Sequence, residues 1–160
     1  MTLPGGTVTF LFSDIEGSTR LLEQLGDRYG DVHREHRRIL REQLSDAGGR
    51  EVDTQGDAFF FSFERARDAV SGAVAAQREL STQRWPDGVD VKVRMGLHTG
   101  EPTVGEEGYL GMDVVRAARI CSAGSGAAPS RRRRRATWRR KISPTCSTVR
   151  ASIPVSTSRR

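Results

Sequence analysis

The chain has 160 residues, of which 26 are Lys or Arg and 20 are Asp or Glu, so its formal net charge is +6. This length suits one domain and is too short for two of full size. No run approaches the roughly 18 to 20 apolar residues of a membrane-spanning helix. The N-terminus lacks the basic and then apolar pattern of a secretory signal, so we expect a cytoplasmic location. The two cysteines, Cys121 and Cys146, indicate neither a disulfide framework nor a zinc site.

The positive charge is confined to the C-terminal end of the sequence. Residues 1–126 contain 15 basic and 20 acidic residues, whereas residues 127–160 contain 11 basic residues and no acidic one. We therefore predict a folded domain over residues 1–126 and a basic, disordered tail over residues 127–160, because the tail has no apolar periodicity. Its arginine run (131–135) favours phosphate backbones, but without a folded scaffold a nucleic acid is not the favoured partner.

Strand and helix patterns alternate along the first 126 residues. In chain order they predict a strand at 7–12, a helix that begins near residue 18, a helix at 29–47, strands at 50–54 and 58–63 around a turn, a helix at 64–83, a strand at 89–95, a Gly-rich loop or hairpin at 101–111 and a helix over 114–121. Ser18 or Thr19 is the expected N-cap of the first helix. The order β-α-α-β-β-α-β predicts an α+β sandwich with helices on one face of an antiparallel or mixed sheet.

Two aspartates stand at the ends of predicted strands. Asp14 follows the first strand, and Asp57 lies in the turn of the predicted hairpin. If the two strands are neighbours, both carboxylates converge and can hold a divalent cation against phosphate oxygens. The alternative is ordinary turn chemistry for Asp57 and helix capping for Asp14. The small residues after Asp14 also place a helix N-terminus where it can face an anion.

Four sequence blocks, in order, resemble the catalytic domain of class III adenylate and guanylate cyclases. They are FSDIEGST at 12–19, TQGDAF at 54–59, RMGLHTG at 94–100 and AARI at 117–120, and the resemblance covers about residues 6–126. The sequence also resembles the cyclase-like domains attached to large actinobacterial transcriptional regulators. The resemblance implies a ferredoxin-like βααββαβ fold that is C-terminally truncated here, because no family block follows residue 126. The tail has the composition expected of a shifted reading frame.

The resemblance also implies a site and a reaction. The reaction would convert ATP or GTP to the cyclic 3′,5′-monophosphate and pyrophosphate in intracellular signalling, with Mg²⁺ or Mn²⁺, in a site shared between two chains of a homodimer or of a related pair. The implied metal ligands are Asp14, Asp57 and the backbone of Ile15, the implied phosphate-binding residues are Gly17, Ser18 and Thr19, and Arg119 is the implied transition-state arginine.

Three positions depart from the family pattern. Asp53 stands where the family has a base-reading lysine, Gly108 where it has an acidic or polar base-reading residue, and Val115 where it has an asparagine. None of the three can make the hydrogen bonds of the residue it replaces. A catalytically inactive homologue that binds nucleotide or pairs with another chain is therefore the alternative to an active cyclase.

The histidines carry weaker signals. His33 and His36 lie three residues apart on a predicted helix and have no third metal ligand, so we expect both to face solvent. His98 lies in a cyclase-like block and is expected to be structural. Cys121 is expected to be a small core residue.

Overall fold

A four-stranded antiparallel sheet positions the predicted site. The computed structural model describes residues 3–105 and 108–124. Its strands are β1 (Val8–Ile15), β2 (Arg50–Gln55), β3 (Ala58–Phe63), β4 (Val93–Gly100), β5 (Thr103–Gly105) and β6 (Gly108–Leu110), and its helices are α1 (Ser18–Leu25), α2 (Tyr29–Asp46), α3 (Ala66–Thr82) and α4 (Met112–Ala123). The sheet order is β2-β3-β1-β4, and β5 and β6 form a separate hairpin. The predicted βααββαβ order is confirmed.

The main core lies between the sheet and the pair α2 and α3. Side chains alternate along a strand, so every second residue of β3 points to this face. The buried members are Leu11, Ile39, Leu40, Leu44, Phe59, Phe61, Phe63, Ala69, Ala73, Ala76, Leu80, Met95 and Leu97. The helices of the βααββαβ unit therefore cover one face of the sheet, as expected.

Helix α4, which follows that unit, packs on the opposite face. Ala117 of α4 joins Phe10, Phe60 and Tyr109 in a second cluster. Glycines in β4 permit a very close approach, because a Cβ on Gly96 would lie 2.4 Å from the backbone nitrogen of Cys121. The helical cover of the sheet is thus two-sided.

Three predicted positions were wrong. The first strand was expected at residues 7–12 but spans Val8–Ile15, so Asp14 lies inside this strand and does not follow it. The fourth strand was expected at residues 89–95 but begins at Val93 and runs to Gly100. Its extent follows that of β1, since the two pair over their full length from Val8 opposite Gly100 to Ile15 opposite Val93. The N-cap of α1 is Gly17 with φ of 69°, not Ser18 or Thr19, and among the described residues no side-chain capping bond is made there.

Within the described residues, no helix is both long and apolar enough to cross a membrane. The predicted tail at 127–160 lies outside these residues.

Candidate active site

Asp14 lies near the end of β1 and pairs with an arginine of the neighbouring strand. Arg94 faces it directly across the β1–β4 ladder. Its Nε and Nη2 donate to the two carboxylate oxygens of Asp14 at 2.6 and 2.5 Å. The side chains of Arg94 and Asp14 are 21% and 25% exposed. This bidentate contact raises the pKa of Arg94. The charge of Asp14 is therefore matched by a fixed guanidinium within the chain.

Asp57 reaches the same end of β1 from the β2–β3 turn. Its Oδ2 accepts a hydrogen bond of 3.2 Å from the backbone N–H of Ile15. Since β1 and β3 are neighbours in the sheet, this contact brings the carboxylate of Asp57 beside the residue that follows Asp14. The structure thus places Asp57 against the backbone of β1, one residue beyond Asp14.

The loop after β1 leads directly into a helix N-terminus. Gly17 adopts the left-handed conformation that this turn requires, with open space around its Cβ position. The first N–H groups of a helix have no partner within the helix, and within the described residues the N-cap position of α1 makes no side-chain capping bond. The backbone N–H groups of Gly17, Ser18 and Thr19, at the start of α1, therefore follow shortly after Asp14 in the chain.

The first turns of α2 pack against the β2–β3 turn that carries Asp57. His33 donates from Nε2 to the carbonyl oxygen of Gly56, the residue before Asp57, at 2.7 Å. His36 is completely buried and packs edge-on against Phe59, with ring centroids 5.9 Å apart. The expectation that the two histidines face solvent was therefore wrong for His36, because the apolar stripe of α2 includes position 36, whereas His33 is only partly buried.

Burial controls the titration of His36. Desolvation lowers its pKa to about 4, against the opposing effect of the Asp57 carboxylate. Neither ring nitrogen of His36 has a hydrogen-bond partner in the described part of the chain. His36 is thus a neutral core residue beside the site at neutral pH.

Helix α4 is tied to β4 by a buried histidine. Nε2 of His98 donates to Asp113 at 2.9 Å, and this bond lowers the pKa of the Asp113 carboxyl. On the same helix Cys121 lies over Arg94, with its Sγ 3.8 Å from the carbonyl oxygen of that residue, and burial raises the pKa of the thiol to about 11. His98 and Cys121 therefore have the structural positions expected of them.

The predicted transition-state arginine stands apart from the two aspartates. Arg119 is exposed on α4 and makes no hydrogen bond or ion pair with the other described residues. Val115, on the same helix, is 42% exposed. Within one chain, the structure does not bring Arg119 to Asp14 or Asp57.

The two substituted base-reading positions lie near one another. The side chain of Asp53 is held by the backbone N–H of Thr54 at 2.8 Å and by the amide of Gln55 at 3.1 Å. Gly108 has φ of 125°, and a Cβ there would lie 4.0 Å from a methyl group of Val52. Gly108 therefore offers no side chain for base recognition, and its positive φ would strain any other residue at this position.

The donor set at this end of the sheet suits a hard cation bound together with a phosphorylated ligand. Among residues 3–105 and 108–124, no group of three or more His, Cys, Asp or Glu side chains converges. Two carboxylates are too few for a cation cage built from side chains alone, but Mg²⁺ is commonly held by one or two carboxylates with substrate oxygens completing its shell. The fold is an α+β domain in which Asp57 bonds to the backbone next to Asp14, near one end of β1.

The comparisons with known proteins assign the family. A profile of the adenylate and guanylate cyclase catalytic domain matches residues 3–127. The chain therefore belongs to the adenylate and guanylate cyclase catalytic domain family. This agrees with the resemblance found in the four sequence blocks.

Curated relatives are mostly much longer proteins. The chain is 32% identical over 148 residues to an adenylate cyclase of Neurospora crassa and 35% identical over 148 residues to one of Mycosarcoma maydis. Each of these alignments covers 77% of this chain but only 6% of the relative. An uncharacterized protein of Mycobacterium tuberculosis is 35% identical over 121 residues, covering 73% of this chain and 39% of that protein.

Solved structures share the fold. A structure from a study of Trypanosoma brucei adenylate cyclases in their monomeric state has a TM-score of 0.70 at 26% identity, covering 79% of this chain and 73% of that one. The catalytic core of a rhodopsin-guanylyl cyclase with converted specificity, in complex with ATPαS, has a TM-score of 0.66 at 22% identity, covering 74% and 72%. Class III cyclase domains use divalent metal ions, which agrees with the oxygen donors of the carboxylate pair.

Sequence reasoning overlooked the role of Arg94. The residue opens a family block, yet its pairing with Asp14 depends on the register between β1 and β4, which the sequence alone does not fix. A basic residue next to alternating apolar positions was the available signal.

Proposed function

We propose that this chain is a nucleotide cyclase domain that converts ATP, or GTP, to the cyclic 3′,5′-monophosphate and pyrophosphate in the cytoplasm. The observation that supports the proposal best is the hydrogen bond from the N–H of Ile15 to the Asp57 carboxylate, which places Asp57 against the residue that follows Asp14. Membership of the cyclase family supplies the reaction.

The residues present fit Mg²⁺ or Mn²⁺. Asp14, Asp57 and the backbone carbonyl of Ile15 are oxygen donors, which these hard cations prefer. When bound, the cations neutralise phosphate charge and polarise the attacking ribose 3′-hydroxyl. A cation at Asp14 would compete with the guanidinium of Arg94 for the same two oxygens. Arg94 therefore already neutralises part of the Asp14 charge that a cation would bind.

The remaining implied groups act on the phosphates. The free N–H groups at Gly17, Ser18 and Thr19 can donate to phosphate oxygens near the carboxylates. Arg119 carries a planar guanidinium suited to the charge that develops during phosphoryl transfer. Its exposure and its lack of contact with Asp14 support a site completed by a second chain, either a homodimer or a related cyclase-like partner.

A catalytically silent homologue is the second candidate. The observation that favours it is the state of the base-reading positions, where the Asp53 side chain bonds to its own strand and Gly108 has no side chain. Such a protein would retain phosphate binding or pairing with another chain without turnover.

The deciding experiment assays the full chain at high protein concentration with Mn²⁺ and either ATP or GTP. Product from the wild type that is lost in Asp57→Ala and kept in Asp46→Ala, an exposed carboxylate at the far end of α2, supports the cyclase. Absence of cyclic product with both nucleotides overturns it, and nucleotide binding that still depends on Asp57 then supports the silent homologue.

A mixing experiment tests the shared site. Asp57→Ala and Arg119→Ala should each be inactive alone, while an equimolar mixture should regain about a quarter of the wild-type rate. Half of the dimers are then mixed, and each mixed dimer has one intact site of two. No recovery on mixing contradicts a site built from two chains.

A further inference from the structure

One face of α2 packs against the β2–β3 turn that carries Asp57. Tyr29, His33 and His36 lie at helical spacing, so their side chains point in similar directions. Burial and the nearby Asp57 carboxylate raise the pKa of Tyr29, and its ring stacks on that of His33 with centroids 6.1 Å apart. His36 packs against Phe59, two residues after Asp57. The helix thus brackets the turn from residue 56 to residue 59.

Among the described residues, one hydrogen bond links this helix face to the backbone of the turn. It runs from His33 to the carbonyl oxygen of Gly56. It is 2.7 Å long and joins residues 23 apart in sequence. The carbonyl that accepts it belongs to the peptide group between Gly56 and Asp57. Gly56 has φ of 58° in the left-handed region, so the turn adopts a conformation that is open to few residues. Fixing this peptide group also fixes the position of the Asp57 Cα, from which the carboxylate side chain extends.

We propose that His33 is a positioning residue, which holds the Gly56–Asp57 peptide so that the Asp57 carboxylate meets the N–H of Ile15 beside Asp14. The inference rests on the proposed function for its metal-binding consequence, but its structural part does not depend on turnover. Among the described residues, the polar contacts that would still hold the turn without this bond are the strand ladder and the bond of Asp57 to Ile15. Groups that orient a metal ligand typically change metal affinity by about 10- to 100-fold when removed.

The test uses three variants of the full chain on the same helix. His33→Leu removes the donor and keeps a side chain of similar bulk, whereas His33→Gln keeps an N–H donor. Arg34→Leu is the matched control, because Arg34 is exposed and pairs with Asp31 on its own helix. Mn²⁺ affinity is measured by titration calorimetry with a non-hydrolysable ATP analogue, and hydrogen exchange is measured at the Ile15 amide.

We expect His33→Leu to weaken Mn²⁺ binding about tenfold and to speed exchange at Ile15, while His33→Gln and Arg34→Leu stay within about twofold of the wild type. Unchanged exchange at Ile15 in His33→Leu overturns the inference, as does equal loss in Arg34→Leu. Mn²⁺ binding that is absent from the wild type, or insensitive to Asp57→Ala, counts against the proposed function instead. The Ile15 exchange then still decides the role of His33.

Discussion

Replacing Gly96 by alanine tests whether α4 rests on the backbone of β4. A Cβ at this position would lie 2.4 Å from the nitrogen, 2.7 Å from the Cα and 3.0 Å from the Cβ of Cys121. The two nearest atoms are backbone and cannot rotate away, so α4 has to shift outward. That shift would open the cluster in which Ala117 packs against Phe10.

The expected cost of Gly96→Ala is about 3 kcal/mol, at the upper end for overpacking a close-packed core. For a domain of this size that corresponds to a fall in Tm of about 12 °C. The matched control is Gly30→Ala in α2, where nothing lies within 4 Å of the Cβ position. The same chemical change there should raise stability by about 0.5 kcal/mol through helix propensity. Thermal unfolding followed by circular dichroism measures both, and a Gly96→Ala protein within 2 °C of wild type, about the scatter expected from 0.5 kcal/mol, would refute the close contact.

Two further predictions concern charge. Arg94→Met removes the guanidinium that bonds to Asp14, so unfolding in urea should show a loss of about 2 kcal/mol. Mn²⁺ alone should bind about fivefold more tightly by calorimetry because a nearby positive charge is gone, and weaker binding would contradict this. Burial lowers the pKa of His36 to about 4, whereas the unfolded chain takes up that proton near pH 6.5. Wild-type stability should therefore fall as pH drops from 6.5 towards 4, by about 2 kcal/mol at pH 4.5 relative to His36→Leu, and parallel pH profiles of the two proteins would exclude this effect.

The strands that were predicted well are those with apolar residues on both faces of the sheet. The run at β1 and the phenylalanines of β3 are apolar on both sides, and the structure buries both sides. The boundaries of β4 were missed because Gly96 and Gly100 lower strand propensity. Those glycines are present because α4 approaches closely, with Asp113 2.4 Å from a Cβ on Gly100. A tertiary contact therefore overrode a local preference.

The parts of the site that lie near strand ends could be predicted from the sequence. Asp57 reaches the β1 backbone beside Asp14 because β1 and β3 are neighbours, which was the stated condition. That the two carboxylates share a cation stays a prediction. His36 was misjudged although it falls between the core residues Val32 and Ile39 on the same stripe. Its polarity was given more weight than its position. The pairing of Arg94 with Asp14 requires the β1–β4 register, a non-local property that residue patterns do not encode.

The retained and substituted parts of the site differ in how firmly the fold holds them. Asp14 and Asp57 lie at central strands, where shifting either would disturb the ladder that carries the phenylalanine core. Asp53 is exposed on the edge strand β2, Gly108 lies in the separate hairpin, and Val115 is exposed on α4. Changes at Asp53 and Val115 cost little stability and can accumulate without moving Asp14 or Asp57, whereas the positive φ of Gly108 already favours glycine there. Metal binding and base recognition can therefore be lost independently, and Mn²⁺ affinity and turnover of ATP or GTP must be measured separately.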